Sequence, residues 1–95
     1  MLQRAVKLIV RGRVQRVGYR AAIYGAISDK LPLITGYVKN LSNGDVEICL
    51  HGDAHDIKKA IDIAYLGSWC SKVENIEVME LTLDGQRYEN FIIIS

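Results

Sequence analysis

Hydrophobic and polar positions alternate at the start of the chain. In the segment RAVKLIVRG, Val6, Leu8 and Val10 fall on one face and basic residues on the other, which is the period of a half-buried strand. After residue 18 the period changes, because apolar residues recur at steps of three and four until Pro32. These residues are Tyr19, Ala22, Ile23, Ala26, Ile27 and Leu31. The pattern predicts a strand, a loop and an amphipathic helix that ends at the proline.

The middle of the chain predicts a hairpin and a second helix. The segments TGYVKN and DVEICLHG flank LSNG, where Asn43 and Gly44 tolerate positive φ, so we expect two strands that turn back on each other. Asp53 is a candidate N-cap for the helix that follows. Apolar residues then recur at helical spacing up to Gly67, which suits the position after a helix end.

The last part of the chain predicts further strands. KVENIEVMELTL and NFIIIS are rich in residues that favour β structure, and a turn is expected around Asp84 and Gly85. The residues expected to face the core are Ile76, Val78, Phe91 and Ile93.

The resulting order is strand, helix, strand, strand, helix, strand, with a short extra strand at the C-terminus. This order predicts an α+β fold of the ferredoxin-like βαββαβ type, in which two helices cover one face of a mainly antiparallel sheet. The 95 residues are about the size of one small domain, so we expect one domain over residues 1–95. This fold hosts many functions, and function must therefore be argued from individual residues.

Composition and charge narrow the function classes. Hydrophobic residues make up 49% and charged residues 24% of the chain, which is typical of a globular protein rather than a disordered one. A net charge of +1 gives no bulk attraction to nucleic acid or to a membrane, so we expect neither as a partner. Cys49 and Cys70 lack CxxC spacing, and no signal segment is apparent, so we expect free thiols in the cytoplasm.

The segment GRVQRVGYR concentrates positive charge and glycine between the first strand and the first helix. Such a loop offers unpaired backbone N–H groups beside the positive end of the helix dipole, which favours anion binding. We expect Gly12 and Gly18 to let these N–H groups converge, and Arg20 to hold two phosphate oxygens. The two glycines are six positions apart and no Lys-Ser or Lys-Thr pair follows, so the loop differs from a nucleotide P-loop. A lone phosphoryl group fits this loop better than ATP.

Two segments resemble the signatures of the acylphosphatase family. GRVQRVGYR is similar to the family's Gly-x-Val-Gln-Gly-Val-x-Phe/Tyr-Arg loop. GYVKNLSNGDVEICLHG resembles its second signature, Gly-Trp/Tyr-Val-x-Asn followed by a hairpin and Gly-x-Val-Glu. The resemblance continues to the final FIII and covers almost the whole chain.

The resemblance implies a ferredoxin-like fold and metal-free hydrolysis of carboxyl-phosphate anhydrides, with no cofactor. It implies that Arg20 binds the phosphate, that Asn40 positions the attacking water, and that the loop from residue 12 to residue 20 surrounds the phosphate. The phosphate-binding residues so implied are Arg13, Val14, Gln15, Arg16, Val17, Gly18 and Arg20. Inorganic phosphate or sulfate is expected to compete for this loop, and we expect a monomer.

Elementary chemistry supports these roles. The leaving group of an acyl phosphate is a carboxylate whose conjugate acid has a pKa near ~4, so its departure at neutral pH needs no strong general acid. Backbone N–H groups and one arginine can stabilise charge on the equatorial phosphate oxygens. The Asn40 amide can hold a water in line with phosphorus, and the phosphate itself can accept the proton.

The chain departs from the family pattern at two places. Arg16 stands where the family usually has glycine, and the connection that contains KLPLIT is longer than usual. If residue 16 adopts positive φ, an arginine there costs roughly 1 kcal/mol; if its φ is ordinary, the arginine only adds positive charge. A longer connection can be absorbed outside the sheet.

Other readings of the sequence stay open at this point. Arg16 favours a weakly active or inactive relative of the family that binds anions or a protein partner. An RNA-recognition domain would need paired aromatic residues on its sheet, and Tyr37 is isolated. A metal chaperone would need cysteines in the first loop, which has none. We expect Trp69 to plug a loop over the core rather than to contact a substrate.

Overall fold

The computed structural model describes residues 2–83 and 88–94. Two helices and five strands are present in this part of the chain. In order they are β1 (Gln3–Arg13), α1 (Tyr19–Lys30), β2 (Thr35–Asn40), β3 (Val46–Asp53), α2 (Ala54–Leu66), β4 (Lys72–Glu80) and β5 (Phe91–Ile94). The predicted order of elements is confirmed. The turn expected around Asp84 and Gly85 lies outside the described residues.

The five strands form one sheet in the order β4-β1-β3-β2-β5. β1 pairs antiparallel with both β3 and β4, and β3 pairs antiparallel with β2. β5 is the exception, since it pairs parallel with β2. The prediction of a mainly antiparallel ferredoxin-like sheet with a short extra strand is therefore confirmed. This order places the loop after β1 and the end of β2 at the same end of the sheet, because β1 and β2 both pair antiparallel with β3 and so run in the same direction.

The core lies between the two helices and one face of the sheet. The alternating residues of β1 that were expected to face inward are fully buried, and β3 contributes a matching set. The helices contribute Tyr19, Ile23 and Ile27 from α1 and Ile57, Ala60 and Ala64 from α2. Burial of each large apolar side chain stabilises the fold by about 1.5–3 kcal/mol relative to exposure. The two helices are thus fixed against the sheet by the stripe that the sequence shows.

The helix ends agree with the sequence signals. α1 stops at Lys30, shortly before Pro32, and α2 starts directly after Asp53 and stops before Gly67, which has φ 63°. Asp53 occupies the N-cap position without a side-chain hydrogen bond to the helix. No helix in residues 2–83 and 88–94 is long and apolar enough to cross a membrane.

Two expectations about the core are wrong. Ile76 and Phe91 are buried as predicted, whereas Val78 and Ile93 are 41% and 42% exposed. Val78 pairs with the buried Leu8, so it points to the helix side of the sheet. Val78 and Ile93 both belong to edge strands, which the two helices do not fully cover. The strand period therefore predicted the direction of these side chains correctly but not their burial.

The first strand is longer than the sequence suggested. β1 continues through Gly12 to Arg13, and its register with β4 shifts between Arg11 and Gly12. A Cβ atom at Gly12 would clash with the carbonyl oxygen of Lys72 on β4. Gly12 therefore permits a close strand approach at this bulge and does not lie in the loop itself.

Candidate active site

The loop between β1 and α1 consists of residues 14–18, which we call the cradle. Gly18 has φ 76° and ψ 16° and directly precedes α1, whose first turn contains no acidic residue. The first N–H groups of the helix and its positive dipole end therefore have no negatively charged partner from this turn. Arg16 has φ 62° and is the one non-glycine residue with positive φ in the described part of the chain. Such a conformation costs an arginine about 1–2 kcal/mol.

A pocket of about 210 Å³ opens beside the cradle. Five residues predicted from the sequence line it, from three separate stretches of fold: the cradle, the start of α1 and the end of β2. They are Val14, Arg16, Gly18, Arg20 and Asn40. Three other predicted residues do not line it: Arg13 ends β1 and is exposed, while Gln15 and Val17 are half-buried in the cradle. The structure thus gathers the predicted arginine and asparagine around one cavity.

Arg20 is fixed by the last strand of the sheet. It is the second residue of α1, and its guanidinium donates from Nη1 to the carbonyl oxygen of Ile94 at 3.1 Å. This bond uses one N–H of the five that a guanidinium carries. The remaining donors can face an anion in the pocket, with the plane of the guanidinium held in place by β5. Among described residues, neither Arg13 nor Arg16 forms an ion pair that would neutralise its charge.

Asn40 lines the same pocket and contains an unsatisfied acceptor. It is the last residue of β2, and its Oδ1 is buried without a hydrogen-bond partner. A buried polar oxygen without a partner costs free energy, and in folded proteins such an atom is usually satisfied by an ordered water or a ligand. Asn40 therefore brings to the site a buried acceptor that lacks a partner.

Gln15 joins the cradle to the strand end that carries Asn40. Its Nε2 donates to the carbonyl oxygens of Leu41 at 2.7 Å and Asp45 at 2.8 Å, both in the turn between β2 and β3. Its side-chain amide is therefore engaged in the protein rather than directed to the pocket. Of the Gln15 groups, the backbone N–H is the one left to contribute to the anion site predicted from the sequence.

Sequence reasoning missed several residues at the site. Tyr19, Ala21 and Ile93 also line the pocket, and the Tyr19 hydroxyl donates to the carbonyl oxygen of Ala64 at 2.7 Å. Burial raises the pKa of the Tyr19 phenol well above its usual value, so this hydroxyl stays protonated and is not an acid–base group. Tyr19 belongs to the apolar stripe of α1, which gave no reason to separate it from ordinary core residues.

Other residue types with reactive side chains lie outside this pocket. In residues 2–83 and 88–94 no three His, Cys, Asp or Glu side chains come together in a way that could hold a metal ion. Cys49 and Cys70 are free thiols, and burial raises the pKa of Cys49, which disfavours its thiolate. Trp69 is 99% exposed, so the expectation that it plugs a loop over the core is wrong.

The chain is similar to known proteins over most of its length. The acylphosphatase family model matches residues 6–93. The chain is 38% identical over 84 residues to an acylphosphatase of Methanocella arvoryzae, which covers 88% of this chain and 93% of that protein. It is 36% identical over 92 residues to an acylphosphatase of Caldanaerobacter subterraneus, and this alignment covers 97% of this chain and 99% of that protein. The crystal structure of an acylphosphatase from Bacillus subtilis superposes with a TM-score of 0.86 at 32% identity, covering 99% of this chain and 100% of that one.

Proposed function

The chain belongs to the acylphosphatase family, and on that premise we propose that it hydrolyses acyl phosphates to a carboxylate and inorganic phosphate without a metal ion. The proposal rests on one observation: a single pocket is lined by Arg16, Gly18, Arg20 and Asn40, and the Oδ1 of Asn40 is buried without a partner. In this proposal the cradle and Arg20 supply donors for a phosphate, and Asn40 supplies an acceptor for a water. The alternative of a module that only binds anions gives no role to that acceptor.

The phosphate binds between the cradle and Arg20. Backbone N–H groups of the cradle and of the first turn of α1 donate to the phosphate oxygens, and the Arg20 guanidinium donates to two of them. These donors are arranged before the substrate arrives, since the Ile94 carbonyl already orients Arg20. Preorganised donors stabilise charge on the transferring phosphoryl group without reorganisation during the reaction.

Asn40 holds the attacking water. The water donates one O–H to Asn40 Oδ1, which leaves its oxygen free to approach phosphorus on the side opposite the leaving group. As the water oxygen bonds to phosphorus, the bond from phosphorus to the carboxylate oxygen breaks and its electron pair stays on the carboxylate. The proton of the water moves to a phosphate oxygen, so no protein base is required.

The chemistry of the leaving group sets the substrate class. A carboxylate leaves readily because its conjugate acid has a pKa near ~4, whereas an aryl alcohol has a pKa near ~10 and needs a general acid. Tyr19, which lines the pocket, has its pKa raised by burial and is bonded to Ala64, so it is not placed to donate a proton. The site is therefore suited to anhydrides and not to phosphate monoesters.

A matched pair of substrates tests this proposal. Benzoyl phosphate and phenyl phosphate carry the same ring and differ in the carbonyl group that makes the first an anhydride. We expect phosphate release from benzoyl phosphate to be at least about 100-fold faster in kcat/KM and to persist in excess EDTA. Protein carrying Arg20→Ala, purified in parallel, controls for a contaminating phosphatase. Equal rates on both substrates, or loss of activity on chelation, would contradict the proposal.

Three further properties belong to the same proposal. Inorganic phosphate or sulfate competes with substrate, because each offers the cradle a tetrahedral oxyanion. The protein acts as a monomer, because the residues that the proposed reaction uses are all supplied by one chain and no second copy is required. It works in the cytoplasm, where its free thiols Cys49 and Cys70 stay reduced. Competitive inhibition by phosphate and elution as a monomer on size-exclusion chromatography are the expected results.

A further inference from the structure

The turn that follows α2, residues 67–71, lies against the cradle. The Ser68 hydroxyl donates from Oγ to the carbonyl oxygen of Val17 at 2.8 Å, although the two residues are 51 positions apart. Neither Ser68 nor Val17 lines the pocket, so this bond acts from behind the cradle. Nothing in the sequence patterns pointed to Ser68.

The bond from Ser68 fixes one peptide group of the cradle. In a planar trans peptide the C=O and the following N–H point in opposite directions. Because the Val17 carbonyl points toward Ser68, the Gly18 N–H points away from Ser68, and Gly18 lines the pocket. We propose that Ser68 is a positioning residue that aims the Gly18 N–H at the bound phosphate, an inference that rests on the function proposed above.

Glycine makes such a restraint necessary. Gly18 has φ 76°, and a glycine populates positive and negative φ with similar ease. The peptide between Val17 and Gly18 can therefore turn over at little cost in backbone energy, which would direct its C=O, and not its N–H, toward the anion. The Ser68 hydroxyl stabilises one of these two orientations because its hydrogen bond requires the Val17 carbonyl on the side away from the pocket.

The turn that carries Ser68 is closed by its own hydrogen bonds. The Ser71 hydroxyl accepts from the Ser68 backbone N–H at 2.8 Å and donates to the Ser68 carbonyl oxygen at 3.0 Å. A Cβ at Gly67 would lie 3.1 Å from the Tyr19 ring and would clash with Ser71 Oγ, so the turn approaches α1 closely. Tyr19 follows Gly18 and donates to Ala64 at the end of α2. Both neighbours of Gly18 are thus held by the C-terminal end of α2 and its turn.

The experiment measures phosphate binding at Gly18 directly. Inorganic phosphate is titrated into 15N-labelled protein, and the Gly18 amide resonance is followed together with the dissociation constant. In the wild type we expect a large downfield proton shift of the Gly18 amide. In Ser68→Ala we expect this shift to be mostly lost and the dissociation constant to rise about tenfold, the effect of losing one charge-assisted hydrogen bond.

Two controls separate positioning from general loosening of the turn. Ser68→Thr keeps the hydroxyl and should restore the Gly18 shift, with affinity within about twofold of the wild type. Ser71→Ala removes the two side-chain bonds within the turn but keeps the backbone bond from the Ser71 N–H to the Ser68 carbonyl oxygen and the Ser68 hydroxyl, so it should also retain the Gly18 shift. The proposal is wrong if Ser71→Ala lowers phosphate affinity as much as Ser68→Ala. It is also wrong if Ser68→Ala changes neither the Gly18 amide shift nor the dissociation constant for phosphate.

If Ser68→Ala does not fold, a second pair of variants tests the same role of the hydroxyl. Ser68→Thr and Ser68→Val have nearly the same shape and differ in the hydroxyl, so they give the same comparison. The outcome is also distinguishable from failure of the proposed function. A protein that shows the Gly18 shift, loses it in Ser68→Val, and does not hydrolyse benzoyl phosphate would keep the positioning role and overturn the proposed hydrolysis.

Discussion

Two parts of the pocket lining differ in how far the protein completes them: the cradle with Arg20, which we call the proposed phosphate wall, and Asn40, which we call the proposed water wall. On the phosphate wall, Arg20 is held by the Ile94 carbonyl and the Val17 carbonyl by Ser68, so the donors are set in place by other parts of the fold. On the water wall, Asn40 Oδ1 is buried and has no partner. The first is held by hydrogen bonds from distant segments, and the second contains a buried acceptor without a partner.

This difference suits the chemistry of the two proposed ligands, a phosphate dianion and a water molecule. A phosphate dianion must find its donors already oriented, because reorientation during the reaction would add to the barrier. The water needs one acceptor to fix it in line with phosphorus and otherwise must keep its lone pair free. Removal of the arginine on the phosphate wall should therefore affect both binding and turnover, whereas a change on the water wall should affect the chemical step alone.

The largest effect is expected from Arg20→Ala. Loss of the guanidinium removes the strongest anion donor, so phosphate affinity and turnover should both fall, with kcat/KM reduced by roughly 1,000-fold or more. Steady-state kinetics on benzoyl phosphate and titration with inorganic phosphate measure the two losses. Arg20→Lys keeps the charge but lacks the planar fork, and should recover only part of the loss. Phosphate binding that survives in Arg20→Ala would contradict the assignment of this wall.

Asn40→Ala should separate phosphate binding from the chemical step most clearly. Removal of the acceptor leaves the water unpositioned, so kcat should fall by roughly 100-fold while the dissociation constant for inorganic phosphate stays near the wild-type value. Asn43→Ala, which alters the same turn through its bond to the Asp45 N–H, is the matched control and should retain turnover. If Asn40→Ala loses only phosphate binding, or keeps its full activity, the assignment of the attacking water to Asn40 is wrong.

Gln15→Met tests the connection between the walls. Methionine has similar length but cannot donate to the carbonyls of Leu41 and Asp45. Each carbonyl keeps one backbone partner, so the free energy of unfolding should fall by only about 1–2 kcal/mol. We expect kcat to fall about tenfold because the cradle and Asn40 are no longer held in register. Denaturant unfolding measures the loss of stability and steady-state kinetics measures kcat. An unchanged kcat would show that the reaction does not depend on the bonds between Gln15 and the turn that follows Asn40.

The smallest effect is expected from Arg16→Gly. Loss of a charge at the rim should raise KM a few-fold and leave kcat nearly unchanged, and the change should shrink at high salt because exposed charges are screened over about 8 Å. Relief of the positive φ should offset the greater freedom of glycine in the unfolded chain, leaving stability within about 1 kcal/mol.

Arg16→Ala is the matched control for the Arg16→Gly variant. It removes the same charge but keeps a Cβ at positive φ, so it should show the same KM with lower stability. Higher turnover in Arg16→Gly alone, without loss of affinity, would mean that the arginine strains the cradle rather than assisting it.

Local sequence patterns were enough to predict the elements and to propose where the site lies. Strands and helices were predictable because hydrophobic periodicity is a local property of the chain. The cradle was predicted because charge and glycine are concentrated between β1 and α1, and Asn40 because the segment that contains it resembles the family's second signature. Each of these signals lies within a short stretch of neighbouring residues.

The tertiary structure alone decided how the site is held. The bond from Arg20 to Ile94 joins residues 74 positions apart, and that from Ser68 to Val17 joins residues 51 apart. Such contacts depend on sheet order and strand register, which local patterns do not encode. The same reason explains the error at Val78, whose direction follows from strand period but whose exposure follows from its place on an edge strand. Local periodicity fixes which way a side chain points, and only packing between distant segments fixes what it meets there.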